Sequence, residues 1–326
     1  MLDWVNNVTF DYDIGFIMGD SASAADWKAN VRGNYFIRLS GGEKSHALEK
    51  ARTTPEGKPN FTLHVGDNLF DKNGNSILDG KNDGYAIASG NYSNSIAPIT
   101  ADGGVPVQLD SPLLTYKKIA SQVGALRLNA AFAKPIHDEL DTILMNNLLA
   151  LKRHHVRHQN ETGASEDGFG KLESTPAPVD SDRDGMPDFW EQATGSDWKL
   201  ANHNDPAPAN AFLSSGYTRL EEYLHFLATP HGYMTSAKPD APSVLEVDLY
   251  RYTAGFTNVG LANYSAHSTV NGKASIMDKH LARFEPPAGF TGRASFYFRI
   301  ADGDSHVWDQ PFLVLVTNAA TSGLTR

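Results

Sequence analysis

The sequence lacks cysteine, long apolar runs and an excess of basic residues. With no cysteine in 326 residues, disulfides, thiolate metal sites and cysteine nucleophiles are excluded. No apolar run approaches the roughly 18 residues that a membrane-spanning helix needs. Lysine and arginine number 28 against 38 aspartate and glutamate residues, a formal net charge of −10. This balance argues against electrostatic binding to nucleic acid or anionic lipid, and an anionic ligand would need a bridging cation.

The composition that is present is typical of a globular protein. Hydrophobic residues make up 40% and charged residues 20%, which argues against wholesale disorder, collagen and coiled coil. The length predicts about two domains of roughly 150 residues each. The first ten residues contain no signal peptide and resemble the inside of a strand. We therefore expect either a cytosolic protein or a chain that begins partway through a longer exported one.

Three early segments share the spacing of a valine and a phenylalanine. Residues 5–10, 31–36 and 65–70 start 26 and 34 residues apart, and the last two have Asn34 and Asn68 at the same offset. Self-similarity at a period of about 20 to 50 residues indicates a stacked repeat fold. Short β-rich stretches between Gly, Asn and Ser turns predict a parallel β-helix in which the asparagines bond backbone at the bends. The alternative is three unrelated strands with common turn residues.

Helical spacing appears after residue 104. A Ser-Pro start followed by regularly spaced apolar residues predicts a helix over residues 111–123, and a second apolar face predicts a longer helix over residues 138–154. The polar stretch 157–179, rich in glycine and proline, predicts a loop. A third helix is predicted over residues 217–227.

The C-terminal part of the sequence is β-rich. Residues 230–242 are rich in Pro, Gly and Ser and predict a linker. Beyond it, residues 243–252 and 294–300 alternate apolar and polar side chains, and residues 312–316 are predicted as a further strand. Roughly 75 residues of such strands predict a small β-sandwich, shorter than the about 100 residues of immunoglobulin domains.

The strongest motif is an acidic loop at residues 180–191, named the clip below. Its residues follow the spacing of a calcium loop, with Asp180, Asp182 and Asp184 at positions 1, 3 and 5, Gly185 at 6, the carbonyl of Met186 at 7, Asp188 at 9 and Glu191 at 12. Ca²⁺ takes about six to eight oxygen ligands and neutralises carboxylates that otherwise repel one another. Prolines before the loop disfavour the entering helix of an EF-hand. The sequence predicts a lone loop-helix calcium site, and the alternative is a metal-free acidic turn that caps a helix.

A second half-loop follows the clip. Residues 216–222 fit positions 6 to 12 of a calcium loop, but positions 1, 3 and 5 are occupied by Ala211, Leu213 and Ser215. This loop is degenerate as a metal site. Nearby oxygen donors are therefore only weak candidates for a second ion, namely Asn202, Asn204 and Asp205.

Three other polar clusters favour ordinary structural roles. Residues 71–79 resemble the first half of a calcium loop but predict a turn, because position 12 is Asn82. Residues 302–304 predict a hairpin turn. His154 and His158 have the spacing of a transition-metal pair, but no third ligand follows at a recognisable offset, and a basic helix end is the preferred interpretation.

Several of these segments resemble one family. Trp4-Val-Asn-Asn-Val-Thr-Phe10 and residues 29–36 and 64–70 resemble the later coils of bacterial pectate lyases of the large β-helical family. Residues 124–141 resemble its Arg-Asp-x-Val-Asp helix, with His137 in place of Arg. The clip and the following Gly-Tyr-Thr-Arg-Leu-Glu-Glu stretch are similar to the tail of many such lyases, related to thrombospondin type 3 and dockerin-like calcium loops. The Phe-Glu-Pro-Pro-Ala-Gly-Phe-Thr-Gly stretch from residue 284 is similar to a cadherin-like repeat of exported bacterial proteins.

The resemblance implies a mainly β fold. The expected order is the last coils of a right-handed parallel β-helix (1–105), a helical cap (106–160), a loop plus calcium-binding loop-helix segment (161–229), a linker (230–242), a small immunoglobulin- or cadherin-like β-sandwich (243–318) and a tail (319–326). It also implies secretion, a structural Ca²⁺ in the clip, and an acidic polysaccharide, pectate, as the partner of the parent enzyme.

The activity implied is calcium-dependent β-elimination of pectate. In the family, Ca²⁺ binds a uronate carboxylate and acidifies the C5 proton, an arginine removes that proton, and the bond to O4 breaks. The family's catalytic residues lie in coils before the Asn-Asn-Val strand at which this chain starts. We therefore assign no catalytic residue and expect a C-terminal portion that is inactive alone. Arg38 and Lys44 are candidate substrate-binding residues, and solvated surface charge is the alternative.

Two rival functions remain open at this point. The first is a non-catalytic, calcium-stabilised protein that binds polysaccharide or a cell-surface partner through its coils or its sandwich. The second is a metal hydrolase built around the histidines at 154 and 158, which the sequence favours least.

Overall fold

The computed structural model describes residues 1–17, 26–39, 46–51, 60–101, 104–105, 107–124, 137–171, 176–213 and 216–318. The chain divides into two compact units. The coil unit comprises Met1–Ala120 and Thr142–Phe169, and the clip–sandwich unit comprises Ser121–Asp141 and Gly170–Arg326. No described helix is long and apolar enough to cross a membrane.

The coil unit is built from short parallel strands. They are β1 (Leu2–Val5), β2 (Val8–Phe10), β3 (Phe16–Ile17), β4 (Trp27–Arg32), β5 (Tyr35–Ile37), β6 (Leu48–Ala51), β7 (Phe61–Gly66), β8 (Leu69–Asp71), β9 (Ala88–Gly90) and β10 (Ser93–Asn94). They form three sheets in the orders β1-β4-β7-β10, β2-β5-β8 and β3-β6-β9, with every pairing parallel. Equivalent strands of successive coils thus stack on one another, which is consistent with the predicted parallel β-helix.

A ladder of asparagines marks the bend after the first strand of each coil. The side-chain amide of Asn34 donates to the side-chain oxygen of Asn68 (2.8 Å), and that of Asn7 donates to Asn34 (3.1 Å). Side-chain amides of the ladder also donate to backbone carbonyls, that of Asn34 to Trp4 and that of Asn68 to Val31, both at 2.8 Å. The predicted bonding of recurrent asparagines to backbone is confirmed.

The residue before each ladder asparagine has a left-handed backbone. The φ angles are 56° at Asn6, 64° at Gly33 and 53° at Asp67. Asn and Asp tolerate this conformation, and Gly adopts it without steric cost. At the middle coil glycine is also required by space, since a Cβ on Gly33 would lie 2.7 Å from Oδ1 of Asn6.

The register of the first two coils differs by one residue from the alignment of their valines. Trp4 pairs with Val31 and Val5 pairs with Arg32, whereas the sequence spacing had aligned the two valines. Val31 pairs with Val65, as predicted. Trp4 packs on the same core as these two valines. A one-residue shift of β1 would turn Trp4 away from this core, because such a shift exchanges the two faces of a strand. Packing of the bulky Trp4 side chain on the core therefore sets the register.

The core of the coil unit lies between the three sheets. Its buried members are Phe16, Ala29, Val31, Phe36, Ala47, Leu48, Phe61, Leu63, Val65, Phe70 and Ile87. Alternate positions of the longer strands point inward, as the period of two in a strand requires.

Two helices follow the coils, as predicted. Helix α1 (Pro112–Gln122) begins behind Ser111, whose hydroxyl accepts from the backbone N–H of Leu114 (3.2 Å). Helix α2 (Glu139–Leu149) is shorter than predicted, since it ends before Leu151, which has a left-handed φ of 46°. Short 3₁₀ helices occupy Gly84–Ile87, Gln159–Glu161, Glu166–Gly168 and Leu249–Tyr252.

The clip–sandwich unit combines three further helices with two mainly antiparallel sheets. The helices are α3 (Asp188–Thr194), α4 (Arg219–Ala228) and α5 (Ala254–Val259). The strands are β11 (Gly232–Ser236), β12 (Leu245–Asp248), β13 (Ala262–Val270), β14 (Lys273–Met277), β15 (Leu281–Glu285), β16 (Gly292–Asp302) and β17 (Val307–Thr317). They form a larger sheet β11-β17-β16-β13 and a smaller sheet β12-β15-β14.

The segment predicted as a linker contains an ordered strand. Strand β11 pairs in parallel with β17 at the edge of the larger sheet. Tyr233 in this strand is buried, and its ring stacks on Phe312 with the centroids 5.2 Å apart. The linker prediction was therefore wrong for this strand, because turn-type composition concealed a segment that tertiary pairing holds as a strand.

Strand β17 contributes to two cores. Phe312, Val314 and Val316 face the core that the two sheets share. Leu313 and Leu315 point the other way and pack against the aromatic residues of α3 and α4. A strand that is buried on both faces reads as a continuous apolar run rather than an alternating one. The outer face of the larger sheet thus packs against α3, the helix that begins within the clip, and against α4.

Candidate metal centre

The clip is a tight turn followed directly by α3. Arg183 and Gly185 have left-handed φ angles of 62° and 94°, which wrap the loop around its own carboxylates. Below the loop, Met186 and Trp190 are buried in the core of the two helices. The loop folds this way because its acidic residues alternate with residues whose backbone N–H groups donate to the acidic side chains.

Three aspartates converge at the mouth of the loop. Asp180, Asp182 and Asp184 each offer a carboxylate oxygen, and these oxygens lie within 4.8 Å of one another. Oδ1 and Oδ2 of Asp180 accept from the backbone N–H groups of Arg183 (2.7 Å) and Gly185 (3.0 Å). Backbone bonds therefore hold the carboxylates in place despite their mutual repulsion.

Glu191 lies beneath the aspartates and is fully buried, with 0% of its surface exposed. Among the described residues, neither of its carboxylate oxygens has a hydrogen-bond partner, and the same holds for Oδ2 of Asp182. Burial, reinforced by the charges of Asp182 and Asp184, raises the pKa of Glu191 to about 8. Burial also raises the pKa of Asp182, with Asp184 adding to the effect.

These donors fit a hard divalent cation. A buried carboxylate without partners costs several kcal/mol unless an ion or proton compensates it. Every predicted ligand is an oxygen, the ligand type that Ca²⁺ takes, whereas structural zinc sites are built from Cys and His. The carboxylates that would hold the ion are those of Asp180, Asp182, Asp184 and Glu191, together with the Met186 carbonyl.

Asp188 has a different environment from the other acids. Both of its oxygens accept from Ser181, Oδ1 from the backbone N–H and Oδ2 from the hydroxyl, each at 2.7 Å. Asp188 is the first residue of α3, where a negative charge is favourable. Its structural contact closes the loop, and its predicted role as a ligand stays a prediction.

The segment after α3 covers one edge of the clip. The backbone N–H of Asn202 donates to Oδ2 of Asp184 (3.0 Å), and Nδ1 of His203 lies 3.8 Å from the same oxygen. The Asn202 side chain is bonded within its own turn, to Ser196, Asp197 and Leu200. Of the weak candidates, Asn202 thus contacts the clip through its backbone, while the Asn204 amide bonds His203.

The degenerate half-loop ends on an ion pair. Glu222 is fully buried in α4, and the guanidinium of Arg293 in β16 donates to both of its oxygens. The sequence reasoning missed Arg293, because it lies 71 residues from Glu222 and belongs to no local motif. Its position gave no distinct signal, because the same strand also carries Arg299 and ends on Asp302.

The acidic turn at residues 71–79 is satisfied internally. The side-chain amides of Asn73 and Asn75 donate to Asp79, at 2.9 and 3.0 Å. Asn82, at the last position of the supposed loop, accepts from Gly84 (3.1 Å). The two asparagine amides thus compensate the Asp79 carboxylate in place of an ion, in agreement with the predicted turn.

Two further predictions concern the hairpin and the histidines. Asp302 closes the turn between β16 and β17 by accepting from the N–H groups of Asp304 (3.0 Å) and His306 (3.1 Å), as predicted. His154 and His158 lie beyond the end of α2, so the helical spacing that made them a metal pair is absent. The prediction of a helix extending to His154 was wrong.

The substrate-binding candidates lie in different settings. Arg38 follows β5 and is buried, with 4% of its surface exposed. A direct contact with a polymer requires exposure, so this burial weighs against the predicted role, which stays a prediction. Lys44 lies outside the described residues.

Curated fungal proteins are similar to most of this chain. The chain is 30% identical over 230 residues to a probable pectate lyase C of Aspergillus fumigatus, covering 69% of the chain and 48% of the relative. It is 29% identical over 233 residues to a probable pectate lyase C of Aspergillus terreus, covering 71% of the chain and 49% of the relative. A third, from Emericella nidulans, is 26% identical over 241 residues, covering 72% of the chain and 49% of the relative.

The chain spans about half the length of the curated relatives that it matches. No protein-family model matches the chain, and no solved structure gives a significant match. The relatives are fungal, so they do not support the predicted bacterial origin. Over the region that they cover, and together with the parallel sheets, they support a pectate lyase-like family for this chain.

Proposed function

We propose that this chain is the C-terminal part of a secreted, calcium-dependent pectate lyase-like polysaccharide lyase. The observation that carries the proposal is the similarity to probable pectate lyase C proteins over about 70% of the chain. The stacked parallel sheets of the coil unit agree with it. An acidic polysaccharide is the substrate class, and a divalent cation bridges it to a protein whose net charge is −10.

The chemistry proposed for the parent protein is β-elimination. A base removes the C5 proton of a uronate, the electron pair forms the C4–C5 double bond, and the C4–O4 bond breaks with the pair on oxygen. Ca²⁺ on the uronate carboxylate supplies charge stabilisation when it is bound. No catalytic residue is assigned to this chain, and the half-length coverage of the relatives is what supports a partial coil array.

The clip is proposed as a structural calcium site. Three aspartate carboxylates lie together just before α3, and the buried Glu191 within that helix has oxygens without hydrogen-bond partners among the described residues. An ion there would fix the loop to the helix and add its binding free energy to the stability of the folded unit. The following two-sheet region is proposed as a cadherin-like sandwich, on the basis of its seven described strands and single shared core.

An elimination assay tests the proposal. Polygalacturonate is incubated with the 326-residue chain and with the longest in-frame product of its gene, in Ca²⁺ or EDTA, and the ultraviolet absorbance of the unsaturated product is followed. We expect turnover in Ca²⁺ by a longer product and none by the 326 residues alone. Robust turnover by the 326 residues would place the active site within them.

A matched variant separates the two calcium roles. Asp184→Ala in the longer product removes a clip ligand, and we expect it to keep its turnover at temperatures below its melting temperature. A loss of turnover in a folded Asp184→Ala protein would make the clip catalytic. Absence of turnover by every product, with retained polymer binding, would favour the non-catalytic binding function instead.

A further inference from the structure

Arg293 and Glu222 form a buried ion pair beside the clip. Glu222 is 0% exposed and Arg293 is 6% exposed. Nε of Arg293 donates to Oε1 of Glu222, and Nη2 donates to Oε2 (2.7 Å). The backbone N–H of Phe212 also donates to Oε1 (3.1 Å). The chain itself therefore supplies every charge-compensating contact of this carboxylate.

Glu222 occupies the same helical position as the clip glutamate. Glu191 is the fourth residue of α3, and Glu222 is the fourth residue of α4. Each stands at position 12 of a calcium-loop spacing, after a glycine with positive φ at position 6, which is Gly185 in the clip and Gly216 in the second loop. In the second loop, however, the sequence has no carboxylate at positions 1, 3 and 5.

The remaining contacts of Arg293 reach the helix that carries the clip. Nη1 donates to the carbonyl oxygen of Thr194, the last residue of α3, at 3.1 Å. The guanidinium carbon lies 5.9 Å from the ring centroid of Trp190 in the same helix. A cation is favoured both at a helix C-terminus and near an aromatic ring. Arg293 thus joins α3, α4 and strand β16.

We infer that Arg293 is the permanent cation of a second carboxylate site, so that the Glu222 loop takes no metal ion. A planar guanidinium with two parallel N–H donors matches a carboxylate geometrically, as a divalent ion matches several oxygens. Strand β16 is thereby tied to both helices whether or not calcium is present. The expected number of ions bound at the clip rests on the proposed calcium function. The role of Arg293 as the partner of Glu222 does not.

Calcium counting tests the first part of the inference. Wild type, Asp184→Ala and Glu222→Gln are dialysed against micromolar Ca²⁺, and bound metal is measured per chain by atomic emission. We expect one ion in wild type, none in Asp184→Ala and an unchanged count in Glu222→Gln. A count that falls in Glu222→Gln while Asp184→Ala retains an ion would place the metal at Glu222 and overturn the inference.

Thermal unfolding in EDTA tests the second part without calcium. Arg293→Met leaves a buried carboxylate uncompensated, so we expect its melting temperature to fall several times further than that of Arg299→Met. Arg299 is the matched control, because it lies on β16 like Arg293 and pairs with both oxygens of Asp309 in β17, but its side chain is about half exposed. Equal shifts for the two variants would overturn the inference, even if the wild-type clip bound no ion.

A double variant protects the test against simple misfolding. Glu222→Gln/Arg293→Met removes both charges, and we expect it to recover a substantial part of the melting temperature lost in Arg293→Met. Arg293→Lys keeps a charge without the paired donors, so an intermediate loss is expected. A double variant that is less stable than Arg293→Met would show that Arg293 acts by packing alone.

Discussion

Two buried glutamates in neighbouring helices solve the same electrostatic problem in different ways. Glu222 in α4 is compensated by Arg293, whereas Glu191 in α3 has no hydrogen-bond partner in the part of the chain that the structure describes, and its pKa is raised to about 8. Both lie beside one aromatic core and at the same helical position. The difference shows that a buried glutamate with an arginine partner and one without a hydrogen-bond partner among the described residues can share one scaffold.

Disrupting the shared core should have the largest effect. Trp190 is 1% exposed and contacts Tyr223 and Phe226 of α4. We expect Trp190→Ala to lower the unfolding free energy of the clip–sandwich unit by about 3–5 kcal/mol, because it empties a large buried volume. Chemical denaturation in both Ca²⁺ and EDTA measures it.

The matched control for Trp190→Ala is Leu224→Ala. Leu224 lies in α4 but is 50% exposed, so its truncation should change stability by only about 0.5 kcal/mol. Similar losses for the two variants would show that the aromatic core does not support the two sites jointly.

The second-largest expected effect is the gain in thermal stability when Ca²⁺ binds at the clip of Glu191. At a free Ca²⁺ concentration of about 100 times the dissociation constant, an ion bound only to the folded state adds about 2.7 kcal/mol. Differential scanning calorimetry in Ca²⁺ and EDTA should show this gain in wild type and its loss in Asp184→Ala. Asp304→Ala, in the other acidic cluster, should keep the gain. An unchanged wild-type melting temperature at millimolar Ca²⁺ would contradict the clip assignment.

The pH dependence without calcium follows from Glu191. Its folded pKa of about 8 exceeds the value of about 4.3 expected in the unfolded chain, so protonation favours the folded state. This contribution is complete below about pH 4.3 and is lost as the pH rises towards 8, with a slope of at most about 1.4 kcal/mol per pH unit.

Melting curves of wild type and Glu191→Gln in EDTA between pH 5 and 8 test that sign. The glutamine is neutral throughout, so the advantage of Glu191→Gln over wild type should grow with pH. In Ca²⁺ at pH 8 the order should reverse, because the variant has lost a ligand. Parallel curves in EDTA would mean that Glu191 is already compensated in the metal-free protein.

The sequence could predict the clip because every residue of that site lies within twelve positions. The backbone bonds of Asn34 and Asn68 were predicted from the repeat, but the bonds between successive asparagine side chains, 27 and 34 residues apart, were not. The partner of Glu222 was not predictable, because Arg293 reaches it through the sheet that packs against the helices. The register of the first coils was also missed, because burial of Trp4 outweighed the alignment of valines. Local spacing therefore indicated the proposed ligands, while tertiary packing determined which of the two buried glutamates has a partner within the chain.

The smallest expected difference concerns how each helix begins. Helix α4 has a capping box, in which Thr218 and Glu221 exchange hydrogen bonds. Helix α3 has Pro187 as its N-cap residue, without a side-chain cap, and Ser181 bonds Asp188 in its place. Thr218→Ala should therefore cost about 1 kcal/mol with or without calcium. Ser181→Ala should cost about 1 kcal/mol in EDTA, and less in Ca²⁺, because the ion fixes the same loop through its other carboxylates. Denaturation of both variants in both conditions measures the interaction between serine and ion. A Ser181→Ala cost that does not change with calcium would show that the ion and the Ser181–Asp188 contact act on α3 independently.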